Sequence, residues 1–243
     1  MRLEKILFLD IETAPQTGSL EKMPKELACL WEEKVELLKK RIPERYATEN
    51  AAEANFQEAG IFAEFGRIVC ISVGYIYYKG TERCFRVKSF CNEDEKQLLI
   101  DFSALLNRFC TDNESNICGH NVKEFDIPYM ARRMLILGLP LPGILNVSGK
   151  KPWECKFLDT LEMWKFGDFK HYTSLKLLCA VFGIPTSKDD IDGSQIAEVF
   201  YQEKNMERIS TYCEKDVVAT MQVFMRMSGF PLIKDENIEH IHE

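Results

Sequence analysis

Residues 5–13 read Lys5-Ile6-Leu7-Phe8-Leu9-Asp10-Ile11-Glu12-Thr13. A short apolar run of this kind, closed by polar residues, predicts a buried strand. Alternate residues of a strand point to the same face, so Asp10 and Glu12 project together from its carboxyl end. Two carboxylates held side by side repel each other unless a cation sits between them. Hard oxygen donors suit Mg²⁺ or Mn²⁺. The fold and the chemistry therefore both start at this strand.

Outward from it the pattern changes character. Between about residues 20 and 41, Leu27, Leu30, Trp31, Val35 and Leu38 recur at helical spacing among Glu and Lys, an amphipathic helix. The Ala- and Glu-rich stretch 47–64 also reads as helical. A strand is expected over 67–75 and its hairpin partner over 84–90, with a turn at Gly80. Asn92 opens a helix, with Glu95 as the partner of a capping box. Short strands follow at 116–119 and 157–160, and helices at about 127–137, 174–182, 194–201 and 206–227. The order is strand, helical insert, hairpin, helix, strand, helix, strand, helices. It predicts an α/β fold with a mixed sheet flanked by helices. We expect one domain over 1–234 with an insert at about 15–65, packed through its Trp31 stripe on the domain's own core. A frayed tail is expected over 235–243.

Composition narrows the partners. The 243 residues carry 31 Lys and Arg against 38 Asp and Glu, a net charge of −7, which argues against coating long duplexes. A grip on a few terminal nucleotides through bound cations is compatible with that charge. The nine cysteines include no Cys-x-x-Cys pair and read as reduced, packed thiols. The N-terminal apolar run is too short for a signal peptide, and Pro140 and Pro142 break the run near 134–145. A cytoplasmic protein without membrane association is expected.

Two further polar clusters stand out. In Gly119-His120-Asn121-Val122-Lys123-Glu124-Phe125-Asp126 a strand ends at a glycine and Asp126 enters the first turn of a helix. An acidic residue there also complements the helix dipole. In Tyr212-Cys213-Glu214-Lys215-Asp216 the phenol and the last carboxylate share one helical face, four residues apart. Val217 and Met221 beside Asp216 read as core-facing, so that carboxylate points inward more than a surface pair would.

Together the motifs Asp10-x-Glu12, His120-Asn121-x-x-x-Phe125-Asp126 and Tyr212-x-x-x-Asp216 resemble the DEDD 3′–5′ exonucleases, in the branch whose third motif is Tyr-x-x-x-Asp. The chain is most similar to the proofreading exonuclease domain of family B DNA polymerases and its stand-alone bacterial relatives. Phe65-Gly66-Arg67-Ile68-Val69-Cys70-Ile71-Ser72 is similar to that group's second strand. The resemblance spans about residues 4–228 and implies a ribonuclease H-like fold. It also implies a metal-dependent 3′–5′ exonuclease that releases nucleoside monophosphates from single-stranded ends, DNA favoured over RNA. Two divalent ions, Mg²⁺ or Mn²⁺, would be held by Asp10, Glu12, Asp126 and Asp216. Asp10 would bridge them, Glu12 and Asp216 would complete the water-activating site, and Asp126 would hold the second ion. Tyr212 would orient the attacking water; a phenol is too weak an acid to serve as a strong base there. The Ile11 backbone, Thr13, Asn121 and Phe125 would hold the terminal nucleotide. His120 and Asp159 read as structural, Asp159 as a helix cap. A separate replication or repair protein is a possible partner.

Two other readings were weighed. A haloacid-dehalogenase-type phosphatase also opens on an apolar strand with Asp-x-Asp-x-Thr. Here the second acid is Glu12, and Asp189-Asp190 would have to supply the late acidic pair. A non-catalytic nucleic-acid-binding module on a nuclease fold would be expected to have lost one of the four acids, and none is missing.

Overall fold

The computed structural model describes residues 2–168, 172–185 and 191–241. Strand β1 (Ile6–Pro15) lies at the centre of a six-stranded mixed sheet of order β5-β4-β1-β2-β3-β6. β2 (Gly66–Lys79) and β3 (Glu82–Cys91) form the antiparallel side. β4 (Asn116–Gly119) and β5 (Phe157–Asp159) run parallel to β1 on the other side. This is the mixed α/β arrangement that a ribonuclease H-like fold requires.

Helices cover both faces. α1 (Lys25–Arg41) and the single turn α2 (Ala51–Ala54) belong to the insert. α3 (Glu95–Phe109) and α4 (Asp126–Ile136) cover one face of the sheet. α5 (Thr160–Lys165), α6 (Leu175–Phe182), the short α7 (Ile196–Glu198) and the long α8 (Met206–Met227) follow. Among the described residues, no helix is long and apolar enough to cross a membrane.

The alternation along β1 sorts the core into two layers. Leu7, Leu9 and Ile11 face α3 and α4, among Leu98, Phe102, Ile127 and Met130. Ile6 and Phe8 face α8, among Val217, Met221 and Phe224. Phe8 meets Phe85 and Phe224 edge-on, at centroid distances of 5.7 and 5.5 Å. The same period of two carries Asp10 and Glu12 onto the α8 side. Phe8 therefore fixes the register that aims both carboxylates at α8. The β1–β2 register slips between Glu12 and Thr13, a bulge of the kind that re-aims a strand end.

Several expectations need correction. The Ala- and Glu-rich stretch is not a continuous helix: α2 is followed by a 3₁₀ segment, Phe56–Ile61. It folds around Trp31, which is fully buried against Phe56, Phe62 and Phe65 and donates to the Ala52 carbonyl at 2.9 Å. The Trp31 stripe thus packs within the insert itself, in a cluster of its own drawn from residues 20–65, and not on the main sheet core; Leu30 of the stripe is exposed. The expected 194–201 helix is a 3₁₀ turn, then α7, then a π turn, Val199–Glu203. The tail is not frayed throughout, because Ile238–Ile241 adds β6 parallel to β3. Glu239 there pairs with Lys79 and Arg86, at 2.6 and 2.8 Å.

The capping box at Asn92 is also absent. Asp94 caps α3, accepting from the amides of Lys96 and Gln97. Glu95 turns inward instead. It takes two bonds from Arg133 of α4, at 2.8 and 2.6 Å, and one from the Ile68 amide.

Candidate active site

The site assembles where β1 ends. One ligand atom each of Asp10, Glu12 and Cys213 lies within 4.8 Å of the others. Cys213 comes from α8 and is buried, with Sγ 3.5 Å from both the carbonyl and the Oδ2 of Asp10. Burial, before the neighbouring Cys70, holds that thiol well above its ordinary range. It therefore stays protonated and donates to Asp10. Soft thiolate ligation suits a different class of metal. The sequence motif contained Cys213 but gave it no role.

Asp126 arrives from the opposite layer. It opens α4, is 4% exposed, and its Oδ1 accepts from the Ile11 amide at 3.2 Å. That bond ties the second motif directly to the backbone between Asp10 and Glu12. It also engages the Ile11 N–H that had been assigned to substrate.

Asp216 lies on α8 three residues beyond Cys213, and its charge reaches both β1 carboxylates. Asp10 is held well above the carboxylate range by burial first, then by Cys213, Glu12, Asp126 and Asp216. Glu12 is held up by burial, then by Asp216 and Asp126. Burial pushes Asp126 up to about 7 despite the amides that favour its charged form, with Asp159 adding repulsion. The charges of Asp126 and Asp216 thus raise the proton affinity of both β1 carboxylates. A divalent cation relieves that repulsion, and the donors are all hard oxygens. The residues fit such an ion.

The remaining sequence candidates fall into place individually. Tyr212 is half-buried one turn before Asp216, its ring packed on the apolar patch of Ile209 and Cys213. It also lines a groove with Arg208, Thr211 and Lys215. Thr13 lies beside Tyr129, whose hydroxyl donates to the Gly60 carbonyl at 2.7 Å. A Cβ at Gly66 would sit 2.2 Å from that hydroxyl, so the corner requires glycine. Asn121 adopts φ +63, a left-handed residue at the strand-to-helix turn. Phe125 packs against Tyr129, centroids 5.4 Å apart, and against the α3–α4 core.

Asp159 organises this turn from beneath. It is buried and accepts from the amides of Asn121, Lys123 and Leu161 at 2.9, 3.1 and 2.9 Å. The last of these caps α5, the role expected from sequence. His120 is satisfied within the protein by Thr160 Oγ1 and the Thr173 carbonyl, both at 2.9 Å. The late acidic pair that a phosphatase would need, Asp189-Asp190, lies outside the described residues.

A family model described as a predicted 3′–5′ exonuclease related to the exonuclease domain of PolB matches residues 61–236. No curated protein matches the chain.

Proposed function

The chain belongs to this family of predicted 3′–5′ exonucleases related to the exonuclease domain of PolB, and on that premise we propose that it shortens single-stranded nucleic acid from the 3′ end. DNA is the favoured substrate, and each turnover releases one nucleoside 5′-monophosphate. Water adds to the terminal phosphorus, the bond to the 3′-oxygen breaks, and that oxygen leaves with a proton. The observation that supports this reading is the meeting of Asp10 and Glu12 at the end of β1, with Asp126 bonded to the Ile11 amide between them and the charges of Asp126 and Asp216 reaching both.

Those four residues are the proposed holders of two divalent ions, Mg²⁺ or Mn²⁺. When bound, such ions lower the pKa of water and stabilise the leaving oxygen. Cys213 holds the Asp10 carboxylate by hydrogen bonding. Tyr212 orients the attacking water as a hydrogen-bond donor. Thr13, Asn121 and Phe125 form the walls around the terminal nucleotide, beside the Ile11 amide that Asp126 already engages. We place the protein in the cytoplasm, acting on ends exposed by a separate replication or repair protein.

The test is a time course on 5′-labelled single-stranded DNA and RNA of equal sequence, with Mg²⁺, Mn²⁺ or EDTA. A metal-dependent ladder receding from the 3′ end is expected, faster on DNA. No cleavage by folded protein in any condition would overturn the reading. Tyr212→Phe is expected to slow the ladder while leaving metal binding intact; an unchanged rate would remove Tyr212 from the catalytic group.

A further inference from the structure

Phe125, the aromatic that the sequence offered to substrate, is partly buried, packed against Tyr129 and the α3–α4 core, with part of its surface left open. A different ring stands at the rim of the acidic site. Tyr172 is 65% exposed. An exposed aromatic is unremarkable alone, but the anchoring and position of this one are specific. Its backbone is pinned at the next residue, where the Thr173 carbonyl bonds His120 Nε2 at 2.9 Å. One residue later Ser174 caps α6, accepting from the Leu177 amide. The Tyr172 ring meets the His120 ring edge-on, centroids 6.2 Å apart, leaving most of its surface open. His120 itself sits between Gly119 and Asn121, on the turn that leads into Asp126. The phenol also senses the site: partial burial, then the charges of Asp126, Asp159 and Asp10, hold it above the ordinary tyrosine range.

The electrostatics of the protein give such a ring a purpose. A chain of net charge −7 with a cluster of carboxylates does not attract phosphates by its own field. Aromatic stacking on a base is independent of that field and tolerant of sequence. Resting on the exonuclease reading above, we propose that Tyr172 is the platform on which the base of the 3′-terminal nucleotide stacks. Residues 119–126 and 172–174 then act as one unit, joined through His120, that presents the terminal phosphate to the carboxylates. The ring works through its face, so the hydroxyl is dispensable.

The experiment compares two single-stranded DNA oligonucleotides, identical except that one ends in an abasic 3′-nucleotide. Wild-type enzyme, Tyr172→Ala and Tyr172→Phe are assayed on each for kcat/KM of the first cleavage. Wild type is expected to prefer the natural end by about tenfold to a hundredfold, the value of one stacked base. Tyr172→Ala should lose that preference, falling to the abasic rate on natural ends while retaining wild-type rates on abasic ones. Tyr172→Phe should match wild type. Equal wild-type rates on the two ends would overturn the proposal without any variant, and leave the exonuclease reading standing. Equal losses on both ends in Tyr172→Ala would make the residue merely structural, and a Tyr172→Phe as impaired as the alanine variant would assign the effect to the hydroxyl. A wild-type enzyme inert on both ends would overturn the exonuclease reading itself, and this proposal with it.

Discussion

Two clusters of acids in this protein are built in opposite ways. Glu95 is 6% exposed and fully answered: Arg133, 2% exposed, meets both its oxygens, and the Ile68 amide adds a third bond. Arg133 also donates to the Ala63 carbonyl. Glu12 and Asp126 are buried and Asp10 and Asp216 partly so, beside a buried thiol; the charges of Asp126 and Asp216 raise the proton affinity of Asp10 and Glu12. The Glu95–Arg133 pair joins α3 to α4 and completes its charge within the chain. The four acids proposed for the site instead crowd like charges together: on top of burial, Glu12, Asp126 and Asp216 all raise the proton affinity of Asp10. A matched ion pair is the pattern expected of a structural cluster, and crowded like charges that of a reactive one.

The largest expected effect breaks the reactive cluster. Asp10→Ala or Asp216→Ala should reduce 3′ degradation by about three orders of magnitude or more, because ligands that act as a unit fail together. Asp10→Ala also removes a charge from a crowded set of acids, so that metal-free variant should melt no lower than wild type. Near-normal activity in either would sink the assignment of these carboxylates. Arg133→Ala should do the reverse. It strands Glu95 in the core and is expected to cost about 3–5 kcal/mol in urea unfolding. The folded fraction should keep its activity, and a small stability loss would show that water reaches Glu95.

The contrast sharpens with pH. A carboxyl whose folded pKa lies above its unfolded value favours the folded state fully below the unfolded value, near 4. That contribution fades as pH rises through the folded value, about 7 for Asp126. Metal-free protein should therefore lose stability between about pH 4 and 7, and Asp126→Asn should flatten part of the slope. Saturating Mg²⁺ should raise the urea midpoint most at the upper end of that window. A midpoint in EDTA that does not fall with pH would mean that the four charges are compensated by the protein.

How far the sequence revealed these clusters follows from the range of the forces involved. The acids proposed for the site stood out in the sequence because the chemistry they suggest ties residue types to short fixed offsets: two on a strand, four on a helix. β1 was legible because Ile6 to Leu9 can only be buried, and its period of two aimed Asp10 and Glu12 correctly. The pairing of Glu95 with Arg133 spans 38 residues and leaves no local pattern. β6 is only four residues long, Ile238–Ile241, and is held by Glu239 against Lys79 and Arg86, and by His240 against Glu214 of α8 at 2.6 Å. Such partners are chosen by topology. Cys213 and Tyr172 were passed over because a buried thiol and an exposed ring acquire meaning only from what stands beside them.

The smallest expected effect probes the boundary between the two kinds of legibility, at the start of α3. The spacing of Asn92 and Glu95 matches a capping box, yet Asp94 accepts from Lys96 and Gln97, while Asn92 Oδ1 accepts only from the Asp94 amide. Glu95 cannot reach back to cap because its carboxylate is committed to Arg133. Asp94→Ala should therefore cost about 1 kcal/mol, the usual value of an N-cap. Asn92→Ala, which loses one bond in an exposed turn, should cost less. Thermal melts of the two variants decide the order. A larger loss at Asn92 would restore the capping box and place Glu95 at the surface, which would remove the structural half of the contrast between the two acid clusters. The reactive half would be untouched, since no bond among Asp10, Glu12, Asp126 and Asp216 passes through this turn.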